Sequence, residues 1–274
     1  MRERIKHIFH GPLVWLLAVA VIACAGFFMV VQLSGGSTIN VLGSIRERGT
    51  IRIGVLEDNA PYCTVDEAGN ATGFEAELAM QIGREILQGE GVQLVPLNIK
   101  TTRANLDQEN CDLLVSKVVV NETNSTKYAL SSAYAQEPLQ LLTRTGQTIN
   151  LLDGNLKIGV IPSSNAKSVL TTTLTGMNSP VQVMDISSYP DALTALQSQK
   201  IDAFCAEASV LRALQADGMQ IQDAQIGSLT YAIAVRSNEK DLADAVEKCL
   251  TQMRKDGTLD ALYNKYAIVR PAET

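Results

Sequence analysis

TIRIGVL (residues 50–56) and LKIGVIP (residues 156–162) are two versions of one stretch, and together they decide the fold. Each is a short run rich in β-branched residues with turn signals beside it, the pattern of a strand. Arg52-Ile53-Gly54-Val55 is echoed by Lys157-Ile158-Gly159-Val160. A helical pattern follows each. After the first, Phe74, Leu78, Ile82 and Ile86 recur at helical spacing, with Glu75 and Glu77 in the first turn, where the helix dipole favours negative charge. After the second, Ser163 or Ser164 can cap a helix that turns Val169 and Leu170 inward. A strand–loop–helix–strand unit therefore occurs twice.

The remaining segments extend both units. VQLVPLNI (92–99), DLLVSKVVV (112–120) and LQLLTR (139–144) read as strands, with a short helix over 102–108. The second unit continues with VQVMDI (181–186), a helix from Tyr189 to Gln199 and IDAFCAE (201–207). YAIAVR (231–236) is a further strand, and helices over 241–254 and 259–266 end the body. A brief helix from Val41 closes at Gly49, and 57–73 reads as one long polar loop. Strands alternating with helices predict α/β lobes. Ligands in such lobes bind at the carboxyl ends of the strands, so two lobes imply a cleft between them. Cys111 to Tyr134, an apolar run that breaks into Asn, Glu, Thr and Ser, is the expected wall of that cleft.

Composition narrows the classes. Apolar content of 46% is that of a globular chain rather than a disordered one. The net charge is −6, and Arg2, Arg4 and Lys6 precede the body, so the body is more acidic still. An acidic body argues against nucleic acid as a partner. Both histidines, His7 and His10, lie before the body, and Cys63, Cys111, Cys205 and Cys249 are far apart. No metal centre, cofactor or histidine-based catalysis is expected. Buried free thiols are expected, although an exported location permits disulfides.

The N-terminus is bipartite. A basic segment precedes the apolar run Leu13 to Leu33, which matches the length needed to cross a bilayer. The positive charges predict a cytoplasmic N-terminus and an exported body. Two readings stand side by side: an uncleaved membrane anchor, or a lipoprotein cleaved before Cys24 in Val21-Ile22-Ala23-Cys24. Residues 34–41 form a spacer.

In order along the chain, Gly49-Thr50-Ile51-Arg52-Ile53-Gly54-Val55, Asp58 with Pro61, Gly73-Phe74-Glu75, Thr102-Arg103, Cys111-Asp112-Leu113, Leu130-Ser131 with Tyr134, Lys200-Ile201-Asp202-Ala203-Phe204 and Asp256-Gly257-Thr258-Leu259 carry a resemblance. The body resembles the extracytoplasmic solute-binding proteins of polar-amino-acid ABC transporters, solute-binding family 3. That resemblance implies a two-lobed periplasmic-binding-protein type II fold, with lobe 1 at 42–143 plus 232–270 and lobe 2 at 146–228. It implies a monomeric, non-catalytic receptor outside the cytoplasmic membrane that passes a small amino-acid ligand to an ABC permease. A sensory or degenerate binding module is the second reading, and a small dehydratase on the same fold, with Glu207 as its acid or base, a remote third.

The resemblance also suggests site residues. The family's carboxylate-binding Arg falls on Asn124, which lacks the charge and the bidentate fork. Lys117 stands where the family has a small pocket residue, and Arg103 where acidic-amino-acid binders carry an Arg. These two cations favour an acidic or polar ligand. Glu207 takes the place of the acid that binds the ligand ammonium, and Tyr189 that of a pocket tyrosine. Asn59 occupies a position that is often aromatic, with Tyr62 close by to supply a platform, and Ser116 offers a hydroxyl. Ser164 and Asn165 stand at a helix N-terminus, which suits an anion; ordinary capping explains them equally well.

Overall fold

The computed structural model describes residues 40–162, 164–224 and 226–271. The expected anchor segment, the candidate lipidation site at Cys24 and residues 34–39 of the expected spacer lie outside these. Among the described residues no helix is long and apolar enough to cross a membrane.

The chain starts with α1 (Val41–Arg48), capped by the Asn40 side chain on the Gly43 N–H and ended by Gly49 in the left-handed conformation. β1 (Ile51–Leu56) follows, then β2 (Asp58–Asn59), β3 (Cys63–Val65) and β4 (Ala71–Thr72). The segment expected to be one loop is thus a small three-stranded antiparallel sheet in the order β2-β3-β4. Strands of two and three residues are too short to show a period of two. α2 (Phe74–Leu87), β5 (Val92–Leu97), α3 (Thr102–Asp107) and β6 (Leu113–Val119) complete the first unit.

Two further elements were not expected after β6. α4 (Glu122–Lys127) and β7 (Tyr128–Leu130) occupy what reads as a polar loop. ETNSTK has no apolar stripe; the turn is held by Asn121, whose side chain accepts the Asn124 N–H at 2.9 Å. β8 (Ala135–Arg144) begins four residues before the expected strand. β9 (Lys157–Val160), α5 (Asn165–Gly176), β10 (Gln182–Asp185), α6 (Tyr189–Gln197) and β11 (Ala203–Glu207) form the second unit. α7 (Ala208–Leu214) and β12 (Met219–Gln222) add to it and were also unexpected. β13 (Ser228–Arg236), α8 (Lys240–Lys255) and α9 (Thr258–Tyr266) return the chain to the first lobe.

The main sheet runs β10-β9-β11-β8-β13-β6-β1-β5, with β12 beside β8 and β7 beside β13. β1 pairs in parallel with β5 and β6, and β9 with β10 and β11, so each repeated stretch sits inside its own parallel set. β8 and β13 join the two sets. Gln136 to Pro138 pair antiparallel with 228–230, whereas Leu139 to Thr143 pair with β11. The far half of β13 pairs with β6 and β7. Both strands belong to both lobes, and the chain crosses on them. The apolar interior follows this path, with Ile53, Val115, Leu139, Leu141, Cys205, Leu229 and Ile233 in one continuous core. The four described cysteines are free and buried.

Two sequence motifs turn out to be structural pins. Asp112 is buried, accepts the Arg52 N–H at 2.7 Å and the Arg52 guanidinium at 3.0 Å, and pairs with Arg48. Gly73 caps α2 with φ 121°, and a Cβ there would lie 2.5 Å from the Tyr62 carbonyl oxygen. Gly73→Ala must therefore displace either the Tyr62 backbone or the start of α2. It is expected to cost about 2 kcal/mol or more, measured by urea unfolding.

Candidate functional site

Where β8 crosses β13, a set of buried polar side chains meets. It begins with an irregularity in β6. Leu114 pairs with Ala234 and Val118 with Ala232, so Val115, Ser116 and Lys117 together oppose Ile233. Such a bulge bends the strand and re-aims a side chain. Lys117 takes φ 49°, the left-handed region that L side chains rarely occupy. Its N–H donates to Glu75 Oε1 at 2.8 Å and to the Tyr134 hydroxyl at 3.1 Å; that hydroxyl in turn donates to Glu75 Oε1.

The Lys117 side chain turns inward and is only 8% exposed. Its Nζ lies 2.9 Å from Glu137 Oε2, 4.6 Å from the centre of the Tyr62 ring and 5.0 Å from that of Tyr231. Glu137 sits on β8 and is buried as well. Its Oε1 accepts the Ser209 N–H at 2.8 Å, and its Oε2 accepts the Tyr231 hydroxyl at 3.3 Å. Burial pushes the Glu137 carboxyl up, but the Lys117 ammonium, and Ser209 through its hydroxyl and its N–H, together hold it below the usual range. Behind the pair, Tyr62 packs edge-on against Phe74 and Tyr231, with centroids 6.1 and 5.9 Å apart.

Glu75 is a second buried acid, at the start of α2. Burial pushes its carboxyl up to about 7, against the pull of the Tyr134 hydroxyl, the Lys117 N–H and the Lys117 charge. Both hydrogen bonds fall on Oε1; Glu75 Oε2 is buried and has no partner among the described residues. Ser116 Oγ and Asn59 Nδ2 share that condition.

The second lobe adds charge from one side. Glu207 ends β11, is half-buried and opens α7. Burial, then the Glu207 and Glu137 carboxylates, pushes the Tyr189 hydroxyl up; burial, then the same two acids, does so at Tyr231. Tyr189 is 39% exposed and meets Phe204 edge-on at 6.2 Å. Arg212, on the exposed side of α7, is the cation that opposes the upward shift at Tyr62.

Of the residues singled out in the sequence, Tyr62, Ser116 and Lys117 come together, with Glu207 and Tyr189 close enough for their charges and rings to be felt. Asn59 adjoins through its carbonyl, which accepts the Tyr62 N–H at 2.8 Å. The others stand apart. Asn124 is buried and donates its amide to the Val119 carbonyl at 2.7 Å, closing the exit of β6. Arg103 is exposed on α3, without a hydrogen bond or ion pair to the cluster among the described residues. Asn165 is exposed at the start of α5. Ser164 is the residue before that helix, but its hydroxyl donates back to the Ile161 carbonyl at 2.8 Å rather than capping an N–H. Glu137, Tyr231, Ser209 and Arg212 had no motif to announce them. The only sequence signal was an acid in Ala-Gln-Glu-Pro, a segment with no strand pattern.

Two α/β lobes joined by crossing strands, with charged groups at the crossing, are the architecture of a two-lobed binding protein. Residues 51–268 match the model of the bacterial extracellular solute-binding proteins, family 3, and the chain belongs to that family. It is 26% identical over 275 residues to the L-cystine-binding protein TcyJ of Escherichia coli K12, covering 96% of this chain and 97% of that protein. It is also 26% identical to the ABC transporter glutamine-binding protein GlnH of Bacillus subtilis 168, covering 98% and 100%. Among solved structures, the solute receptor for L-cysteine of Neisseria gonorrhoeae superposes with a TM-score of 0.66 at 21% identity, over 82% of this chain and 92% of that one. These relatives are named as binding proteins rather than enzymes.

Two stability predictions follow from the buried groups. Glu137→Ala leaves the Lys117 ammonium buried without its carboxylate and is expected to cost about 3–5 kcal/mol in urea unfolding, whereas Lys117→Met with Glu137→Met, which strands only the Ser209 N–H and the Tyr231 hydroxyl, is expected to cost less. The second concerns pH. Glu75 holds its proton more tightly folded than unfolded, where its value is near 4.5. Its contribution is therefore full below that value and is lost as pH rises through about 7. Stability is expected to fall by about 3 kcal/mol between about pH 5 and about pH 8, and Glu75→Gln is expected to flatten that slope. Glu137, shifted the other way, acts only at lower pH: its contribution is lost as pH falls through its depressed folded value.

Proposed function

We propose that this chain captures a polar amino acid between its lobes, outside the cytoplasmic membrane, and presents it to the permease of an ABC importer. The chain passes between the lobes near 138–139 on β8 and near 228–231 on β13, and the N-terminal apolar segment holds the protein to the membrane. The observation that carries this reading is the cluster at the crossing strands, which combines buried hydroxyls with charges of both signs. The Lys117 charge is matched by Glu137, so the charges left over on the second lobe are Glu207 at the start of α7 and Arg212 in its last turn. An acid and a base facing one cleft suit a zwitterion, with its ammonium at Glu207 and its carboxylate toward the cation. The names of the relatives, cystine and glutamine binders, support a polar rather than an aliphatic side chain.

Capture needs only that the ligand bind the closed lobes better than the open ones. Micromolar affinity corresponds to about −8 kcal/mol, within reach of a few charge-assisted hydrogen bonds in a closed cleft. A binding module that does not deliver its ligand is the competing reading. It is favoured by one observation: Asn124 stands where the resemblance places an arginine, and its amide is spent on Val119.

Titration calorimetry and thermal shift against the polar amino acids test the reading. Several of them are expected to raise the melting temperature of the wild type. Glu207→Ala is expected to abolish amine-ligand binding and Arg212→Ala to weaken binding of the ligand carboxylate, whereas Arg103→Ala, remote from the cluster, is expected to change neither. Wild-type affinity in both the Glu207 and the Arg212 variants would remove the site assignment, and silence of the wild type toward every polar solute would favour the module that does not deliver.

A further inference from the structure

The Lys117 ammonium is surrounded as a bound ligand would be. Two tyrosine faces lie 4.6 and 5.0 Å away, and a carboxylate oxygen lies at 2.9 Å. Two aromatic faces and one acid are the complement of an alkylammonium ion. The walls of this cage do not depend on the lysine. Tyr62 is fixed edge-on by Phe74 and Tyr231. Glu137 is oriented by the Ser209 N–H on one oxygen and by the Tyr231 hydroxyl on the other. The lysine, by contrast, reaches the cage only from a bulge with a left-handed backbone. Ser116 Oγ, beside it in the chain, is buried and without a partner among the described residues.

We propose that Tyr62, Tyr231 and Glu137 form an alkylammonium cage, that Lys117 occupies it as a built-in ligand, and that this occupancy excludes solutes with a cationic side chain from the cleft. This deepens the reading above, since it assigns the side-chain specificity of the same cleft. Lys117 is then a specificity-determining residue. Its flexible stem ends in a point charge that the cage already satisfies, so a second ammonium finds like charge there and no free carboxylate within the cage. Shortening the lysine leaves the acid and both rings facing a space the width of an alkyl chain.

The test uses n-propylammonium chloride on the full-length chain, with sodium chloride at equal ionic strength and n-propanol as controls. Lys117→Ala is expected to lower the melting temperature, and propylammonium at ten times its dissociation constant to restore about 2–4 °C of it. Wild type and the Lys117→Ala/Glu137→Gln double variant are expected not to respond. Lys117→Gly gives the same readout with a residue that accepts φ 49° freely, so loss of the alanine variant to misfolding leaves the test intact. In calorimetry, L-lysine is expected to bind the glycine variant at least tenfold more tightly than wild type. An equal propylammonium shift in wild type, or an undiminished one without Glu137, overturns the cage. The amine readout needs no transported solute. A wild type that binds no amino acid therefore removes the functional reading while leaving the cage standing, and a failed amine response with normal amino-acid binding does the reverse.

Discussion

Lys117 and Glu137 place opposite charges in a space that water hardly reaches, and most of the surrounding structure has to be as it is for that to hold. Taking one ion out of water costs several kcal/mol, and mutual attraction offsets this only when the remaining lone pairs and protons are met as well. Glu137 meets this condition because β8 and β13 cross at a register that puts Leu229 opposite it, with Tyr231 two residues further along β13. Its other oxygen reaches the Ser209 N–H at the first turn of α7. One carboxylate thus links a strand of the first lobe, both crossing strands and a helix of the second. A shift of either lobe along the crossing would strand a charge, so the pair ties the relative position of the lobes to electrostatics rather than to apolar contact alone.

The same arrangement explains why Glu75 behaves differently from its neighbour. Among the described residues one lysine ammonium is within reach, and Glu137 holds it. Glu75 receives the Lys117 backbone N–H and the Tyr134 hydroxyl instead, both on one oxygen. Full burial then outweighs these partners and moves the carboxyl to about 7. Two acids near one cation divide into one held below the usual carboxylate range and one that titrates near neutrality, and the difference lies in which of them faces Nζ.

Much of the fold was legible because it rests on local patterns. The repeated strand stretch, the 3.6-residue period of Phe74, Leu78, Ile82 and Ile86, and the closures at Gly49 and Gly257 each reside in a few consecutive residues. What could not be read is held by distant partners. α4 has no apolar face and depends on the Asn121 cap. The first residues of β8 become a strand only because β13, more than 90 residues later, pairs with them. The site divides the same way. Lys117, Tyr62 and Glu207 stand beside motifs, whereas Glu137 is joined to Ser209 across 72 residues and to Tyr231 across 94. Asp112 shows the converse: a recurring motif residue that pins Arg52 and Arg48 and is remote from ligand chemistry.

The conformation of Lys117 is where these lines meet. A left-handed φ at a residue with a long side chain costs of order 1 kcal/mol or more, and glycine would relieve it at once. The bulge spends three residues of β6 opposite one of β13, giving up regular ladder pairing as well. Both costs fall on the residue whose ammonium enters the cage, and both are needed to turn it there. A strand in regular register would alternate its side chains, placing Ser116 and Lys117 on opposite faces with the backbone N–H groups committed to the ladder. The bulge instead frees the Lys117 N–H for Glu75 and aims Nζ at Glu137. The strained backbone thus sets two things at once, the buried ion pair and the near-neutral acid beside it, and it is the simplest structural reason for a lysine to stand where a small residue would fit.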